Sequence, residues 1–190
     1  PSVKSYGSGY LYHFIGQNNE SGENILKLEH LDDSFISTLN SPISVDGEGW
    51  ANQKNFVSEY DIEGNLFVIY AREEWAPSSI WLQVYNQLGV ELLSSPIEIV
   101  SNSDGQNYYP RELFQNPAGG MVLVYDQEES DIRVIGINSD GSTWGESISI
   151  ISNSDGQQFQ DAVETNDGVF ITWKDSRYGN NDIFGQHISY

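Results

Sequence analysis

Ser101-Asn102-Ser103-Asp104-Gly105-Gln106 recurs residue for residue as Ser152-Asn153-Ser154-Asp155-Gly156-Gln157, 51 positions later. Working outward from this pair, other features keep nearly the same interval. An isoleucine opens a strand-like run at Ile25, Ile80, Ile132 and Ile183, with offsets of 55, 52 and 51. An aromatic closes the preceding run at Phe14, Tyr70, Tyr125 and Trp173, and a glycine stands before each of those runs at Gly9, Gly64, Gly120 and Gly168. Turn residues recur as Asn86-Gln87-Leu88-Gly89 and Asn138-Ser139-Asp140-Gly141. Independent features that hold one drifting interval define an internal repeat.

Each unit contains about four short runs of β-branched and aromatic residues bounded by Gly, Asn, Asp or Ser, which is a strand pattern. In the third unit these are Tyr108 to Phe114, Met121 to Tyr125, Asp131 to Ile137 and Thr143 to Ile151. Helical spacing of apolar residues is nowhere sustained. Asn or Asp followed by Gly supplies the positive φ that tight hairpins need. Four antiparallel strands in each repeat of ~40–50 residues predict an all-β fold, a β-propeller of four-stranded blades. The blades are expected at 1–45, 46–100, 101–151 and 152–190, the last stopping after its third strand. A closed ring does not leave a blade's outer edge bare without a substitute strand. Three complete blades and most of a fourth therefore read as part of a larger ring, with a four-bladed ring of unusual closure as the alternative.

Composition narrows the partners. The 190 residues include 8 Lys+Arg against 28 Asp+Glu, a net charge of −20, with 8 Phe, 5 Trp, 11 Tyr and no Cys. That length suits one domain with its own core, and the aromatic content argues against disorder. Without cysteine there is no disulfide framework, thiolate metal site or cysteine nucleophile. Phosphate backbones call for clustered cations, so nucleic acid is not an expected partner. Anionic lipid would repel such a surface, and the longest apolar runs are too short to span a bilayer, so no membrane insertion is expected.

Thr172-Trp173-Lys174-Asp175-Ser176-Arg177-Tyr178-Gly179-Asn180-Asn181-Asp182-Ile183-Phe184-Gly185-Gln186 resembles the W-x-D-x-R-x-G-x-x-D-I-(Y/F)-(A/G)-Q repeat of propellers in large secreted and surface proteins of bacteria. The third unit keeps Tyr125, Asp131 and Ile132 of that pattern, the second keeps Ile80 and Gln83, and the first little beyond spacing. The resemblance implies a blade fold, export to the medium or cell surface, and binding or scaffolding more often than catalysis. Ser139-Asp140-Gly141-Ser142-Thr143-Trp144 is similar, one residue short, to the Asp-box of sialidase-type propellers, a turn-stabilising element rather than an active site.

Several residues are candidates for chemistry. Trp173, Asp175 and Arg177 read most simply as a blade-packing indole beside an acid–guanidinium pair that orders a hairpin; the functional reading makes Asp175 and Arg177 part of a ligand-contacting rim. The Asn-Ser-Asp-Gly segments could offer oxygens to calcium, with Asp104 and Asp155 as the carboxylates. Asx turns explain the same residues at less cost, and no other cofactor is implied. If the strand order holds, long loops gather at one face and carry Trp50, Trp75, Tyr108 and Tyr178 among many carboxylates. Loops on a rigid scaffold are where binding residues collect; the plain alternative is that these aromatics pack between blades. Inner strands carry Glu59, Asp61, Glu112, Asp161 and Glu164, the positions a propeller glycosidase would need. The leading expectation is thus a non-catalytic module recognising carbohydrate or protein at one face. The alternative is a glycoside hydrolase or lyase using Glu112, Asp161 or Glu59 at the channel.

Overall fold

The computed structural model describes residues 2–6, 9–17, 24–39, 42–45, 55–72, 77–127, 131–151 and 157–190. The described residues form strands and turns, arranged as four antiparallel sheets in which strands follow one another in chain order. The first sheet comprises β1 (Ser2–Tyr6), β2 (Gly9–Gln17), β3 (Asn24–Leu31) and β4 (Ile43–Val45). The second comprises β5 (Phe56–Tyr60), β6 (Leu66–Arg72), β7 (Ser79–Tyr85) and β8 (Ile97–Val100). The third comprises β9 (Tyr108–Gln115), β10 (Met121–Gln127), β11 (Asp131–Ile137) and β12 (Ile148–Ser149), and the fourth β13 (Gln157–Thr165), β14 (Gly168–Asp175) and β15 (Asp182–Ser189). The described residues form a partial β-propeller of three four-stranded blades and one three-stranded blade.

What makes the sheets into blades is that the core lies between them. Successive side chains on a strand point to opposite faces. On β6, Leu66, Val68 and Tyr70 pack with Leu11, Leu26, Leu28 and Val45 of the first blade. The alternate residues Phe67 and Ile69 pack with Leu113, Leu123 and Tyr125 of the third. On β10 the same division puts Leu123 and Tyr125 against the second blade, and Val122 and Val124 against Val169, Ile171 and Trp173 of the fourth. A strand covered on both faces needs apolar residues at every position, which is why β6 and β10 read as continuous apolar runs. Each aliphatic side chain so buried contributes roughly 1.5–3 kcal/mol relative to exposure. The repeated aromatic has one job: Tyr70, Tyr125 and Trp173 each face the blade before their own.

One five-residue turn is used repeatedly. The backbones of residues 32–36, 61–65, 86–90, 116–120 and 138–142 all close with N–H of the first residue to C=O of the fifth, and N–H of the fourth to C=O of the first. In the first four, the side-chain oxygen of Asp32, Asp61, Asn86 or Asn116 also accepts the N–H two residues on, at 2.8–2.9 Å. The fourth residue must adopt positive φ, and it is Gly in four of the turns; Phe35, at φ 59°, takes that place in the other. Phe35 offsets some of the strain by stacking on Tyr10 with 4.7 Å between ring centroids.

The glycines that open the second strands answer to a different constraint. A Cβ on Gly9, Gly120 or Gly168 would lie 2.4, 2.1 or 1.9 Å from the carbonyl oxygen of Leu31, Ile137 or Ile188, on the third strand of the same blade. Backbone cannot yield as a side chain can. Gly168→Ala is therefore expected to lose about 2 kcal/mol by urea denaturation. Gly179→Ala, where φ is 89° but nothing lies within 4 Å of the added Cβ, is expected to lose about 1 kcal/mol. Equal losses would count against the close-approach explanation.

Candidate functional site

The first strands of the second, third and fourth blades, β5, β9 and β13, lie side by side, with β9 between the other two. Pairing places Tyr60, Gln115 and Glu164 opposite the first or second residue of their neighbouring strands, at Leu66, Met121 and Val169. Those three residues thus occupy one level of three adjacent blades. Glu59, one residue inward, pairs with Phe67 and shares that strand residue's side toward the third blade. Glu164 pairs with Val169 and faces the third blade from the opposite direction. The two carboxylates consequently flank β9. With Tyr60, Leu113, Phe114 and Gln115 they line a cavity of about 250 Å³.

Local hydrogen bonds set this arrangement. Gln115 Nε2 donates to the carbonyl of Tyr60 at 3.3 Å, tying the second and third blades together at the cavity floor. Glu59 Oε1 accepts from the Tyr60 N–H at 3.0 Å. Burial, and then the Glu164 carboxylate, push the Tyr190 phenol up to about 12. The cavity therefore offers carboxylate oxygens, an amide and the aromatic ring of Phe114, a combination suited to hydroxyl-rich ligands with apolar faces.

Farther from the cavity β9 and β13 are irregular. In β9, Tyr125 pairs with Pro110 and Val124 with Glu112, so Arg111 is an extra, bulged residue. In β13, Trp173 pairs with Phe159 and Thr172 with Asp161, so Gln160 is extra at the equivalent place. A bulge re-aims the side chain it frees. Arg111 turns onto the buried Asp126 of β10, Nε to Oδ2 at 2.6 Å, with its guanidinium 5.8 Å from the Tyr109 ring centroid. Beyond the bulge, Glu112 pairs with Val124 and faces the fourth blade, whereas Asp161 pairs with Thr172 and faces away from the third. Glu112 and Asp161 are equivalent in the repeat, but they do not face each other.

The other candidates fall out differently. Trp50, Trp75 and Asp155 lie outside the described residues. Tyr108 is not a loop aromatic available to ligand. It is the first residue of β9, only 6% exposed, with its ring edge-on to Tyr125 and its hydroxyl donating to Asp104 at 2.5 Å. Burial first, and then Asp104, push the Tyr108 phenol upward. Asp104 in turn accepts from Tyr108 and from the Gln106 N–H at 3.1 Å, and the tyrosine bond holds its carboxyl below the usual range. Its oxygens serve a turn whose Gly105 N–H bonds the Asn102 carbonyl at 2.9 Å, so the turn reading accounts for this residue. Asp61, an inner-strand candidate by position, is instead the buried first residue of the β5–β6 turn.

Asp175 is 1% exposed and bound to its own loop. Its Oδ1 accepts the Arg177 N–H at 2.8 Å, and Oδ2 accepts Nε at 2.8 Å as well as Nη2. Arg177 also covers the Phe184 ring at 4.7 Å. The pair ties the β14–β15 loop to the end of β14. Tyr178 is a surface residue, 74% exposed, with its ring 6.1 Å from Phe184. Sequence reasoning missed Tyr60, Phe114 and Gln115; the signal was their place in the last one or two positions before the turns that end β5 and β9.

No sequence-family profile matches the chain, and no curated protein matches it. Solved structures do. An endo-arabinase from Bacteroides thetaiotaomicron is similar at 15% identity and TM-score 0.59, over 99% of this chain and 74% of that one. A protein of unknown function from Dyadobacter fermentans is similar at 13% identity and TM-score 0.63, over 95% of this chain and 50% of that one. A thermostable family-43 glycoside hydrolase is similar at 14% identity and TM-score 0.55, over 99% of this chain and 70% of that one. This chain has the propeller fold found in bacterial carbohydrate-active proteins. At such identities the likeness concerns the fold, and the chain spans half to three-quarters of the length of these three structures.

Proposed function

We propose that this chain is a carbohydrate-active propeller of the glycoside-hydrolase type, exported from the cell as its repeat resemblance implies, with the ligand at the inner-strand cavity. The observation that carries the reading is Glu59 and Glu164 entering one cavity from opposite sides of β9. Glycosidic cleavage needs a pair of carboxyl groups flanking the scissile bond, one to protonate the leaving oxygen and one to act as nucleophile or to activate water. The structurally similar proteins include an endo-arabinase and a family-43 glycoside hydrolase, which favours a sugar over a peptide as ligand.

The test is a polysaccharide panel that includes arabinan, read both for reducing-end release and for binding. Release that Glu59→Gln and Glu164→Gln each abolish supports the assignment. Release untouched by either substitution removes it. A second reading is recognition without turnover: Glu112 and Asp161, on β9 and β13, point the same way from one blade to the next and do not face each other, so they add no second acid pair. Binding without release, weakened in Phe114→Ala and Gln115→Ala, would establish that reading instead.

A further inference from the structure

We propose that Arg111 is the hydrogen-bond donor of a second sugar subsite, between β9 and β13, which takes an uncharged unit of the same oligosaccharide that fills the Glu59–Glu164 cavity. This subsite presupposes the carbohydrate reading and extends it to the length and charge of the ligand.

Neither Arg111 nor its partner is demanded by the blade. At the equivalent bulge in the fourth blade stands Gln160, whose Nε2 donates to the backbone carbonyls of Gln158 and Phe159 at 3.3 and 3.0 Å. Asp126, which binds Arg111, pairs with Ile132; the residues paired with the corresponding Ile80 and Ile183 are Ala71 and Lys174. The second and fourth blades are thus built without a carboxylate at that place. A buried ion pair is a weak source of stability, because desolvation of both charges offsets much of their attraction. The pair in the third blade therefore calls for a role other than holding the sheet together.

What the pair does is fix a guanidinium by one edge. Asp126 takes only Nε, at 2.6 Å, and the Tyr109 ring lies 5.8 Å from Cζ. Nη1 and Nη2 donate to no described residue, and the side chain is 29% exposed. Arg133 and Arg177, by contrast, turn terminal nitrogens onto Ser147 and Asp175 of their own blades. A planar donor fork held in place before a ligand arrives loses little entropy on binding.

The fork shares a cleft with the cavity. Val124 packs against the fourth blade, as does Ile132, the pairing partner of Asp126, so Asp126 and the Arg111 bound to it stand on the side facing β13. Glu164 faces back from β13, at the level of Gln115 and Met121. The bulge begins at Val124, roughly 10 Å farther on at the rise of a strand. That separation exceeds the reach of one sugar ring, so the two positions belong to an oligomer.

Charge decides what the second unit is. Asp126 already balances Arg111, Glu112 pairs with Val124 and so faces the same cleft, and the chain carries a net charge of −20. A uronate there would add a like charge with no cation left to offset it. A hydroxyl oxygen accepts from Nη and adds none.

The test is calorimetric titration in a Glu164→Gln background, which leaves the ligand intact. The probes are linear arabino-oligosaccharides from mono- to hexasaccharide, and the hexasaccharide of galacturonate. Affinity should rise with length until the second position is reached. Arg111→Gln should weaken the neutral hexasaccharide by about tenfold, the effect of losing a hydrogen bond from a charged donor, and leave the shortest ligand that binds unchanged. Arg111→Lys keeps a cation beside Asp126 but lacks the fork, so it should lose as much while unfolding in urea like its parent. The acidic hexasaccharide should bind about tenfold more weakly than the neutral one, or less. Equal losses at every length, no loss in either variant, or acidic ligand bound as tightly as neutral would overturn the subsite alone. No binding at any length to the parent would overturn the carbohydrate reading, and the subsite with it.

Discussion

Glu164→Gln is expected to lower glycoside turnover by about 10²–10⁴-fold, the usual contribution of a positioned general acid or base, and Glu59→Gln by a similar factor. Both replacements keep size and hydrogen-bonding capacity. A glutamine at 59 still accepts from the Tyr60 N–H. The unfolding free energy from urea denaturation should therefore change by less than about 0.5 kcal/mol, as for substitutions away from the core. The loss should fall on kcat more than on KM, because the amide keeps ground-state contacts but cannot transfer a proton. Asp161→Asn is the internal control. That residue is at the repeat position of Glu112 yet faces away from the third blade, so turnover should survive its replacement. An enzyme silenced by Asp161→Asn and indifferent to Glu164→Gln would place the chemistry on another surface.

The fold was legible because its repeated residues each answer to a separate physical demand. Gly120 and Gly168 recur because a third-strand carbonyl leaves no room for Cβ, and Gly64, Gly89 and Gly141 because their turn needs positive φ. Tyr70, Tyr125 and Trp173 recur because each must fill the space against the preceding blade. Demands of this sort leave marks at fixed intervals in one chain. The site left weaker marks. A one-residue bulge reverses which face every following side chain takes. The bulges at Arg111 and Gln160 carry no composition signal, so the faces that Glu112 and Asp161 take are not legible from alternation, whereas Glu59 lies on a strand paired without a bulge. Tyr108 misled for a related reason. It adjoins a polar loop in sequence, but strand pairing starts at that residue and turns its ring inward against Tyr125.

Arg177→Ala should destabilise the chain by about 3 kcal/mol at neutral pH, because it strands a buried carboxylate whose partner is gone. The low end of the range for such pairs applies, since the Arg177 side chain itself remains 28% exposed. For a domain of this length that corresponds to roughly 6–12 °C in Tm. Asp175→Asn should cost less, since the amide oxygen can still accept from Arg177 and no bare charge is buried. The pH dependence separates electrostatics from simple loss of packing. The Arg177 hydrogen bond holds the Asp175 carboxyl below its ordinary value in the folded chain. A depressed folded value means that the stabilisation is fully present above the unfolded value near about 4. It is lost as pH falls from there through the folded value. Other carboxylates titrate in the same window, so the informative quantity is the difference between wild type and Asp175→Asn. That difference should be constant from about pH 5 to 7 and shrink steadily below about pH 4. A difference that stays level down to pH 2 would mean the Asp175–Arg177 contact stabilises the hairpin by packing alone.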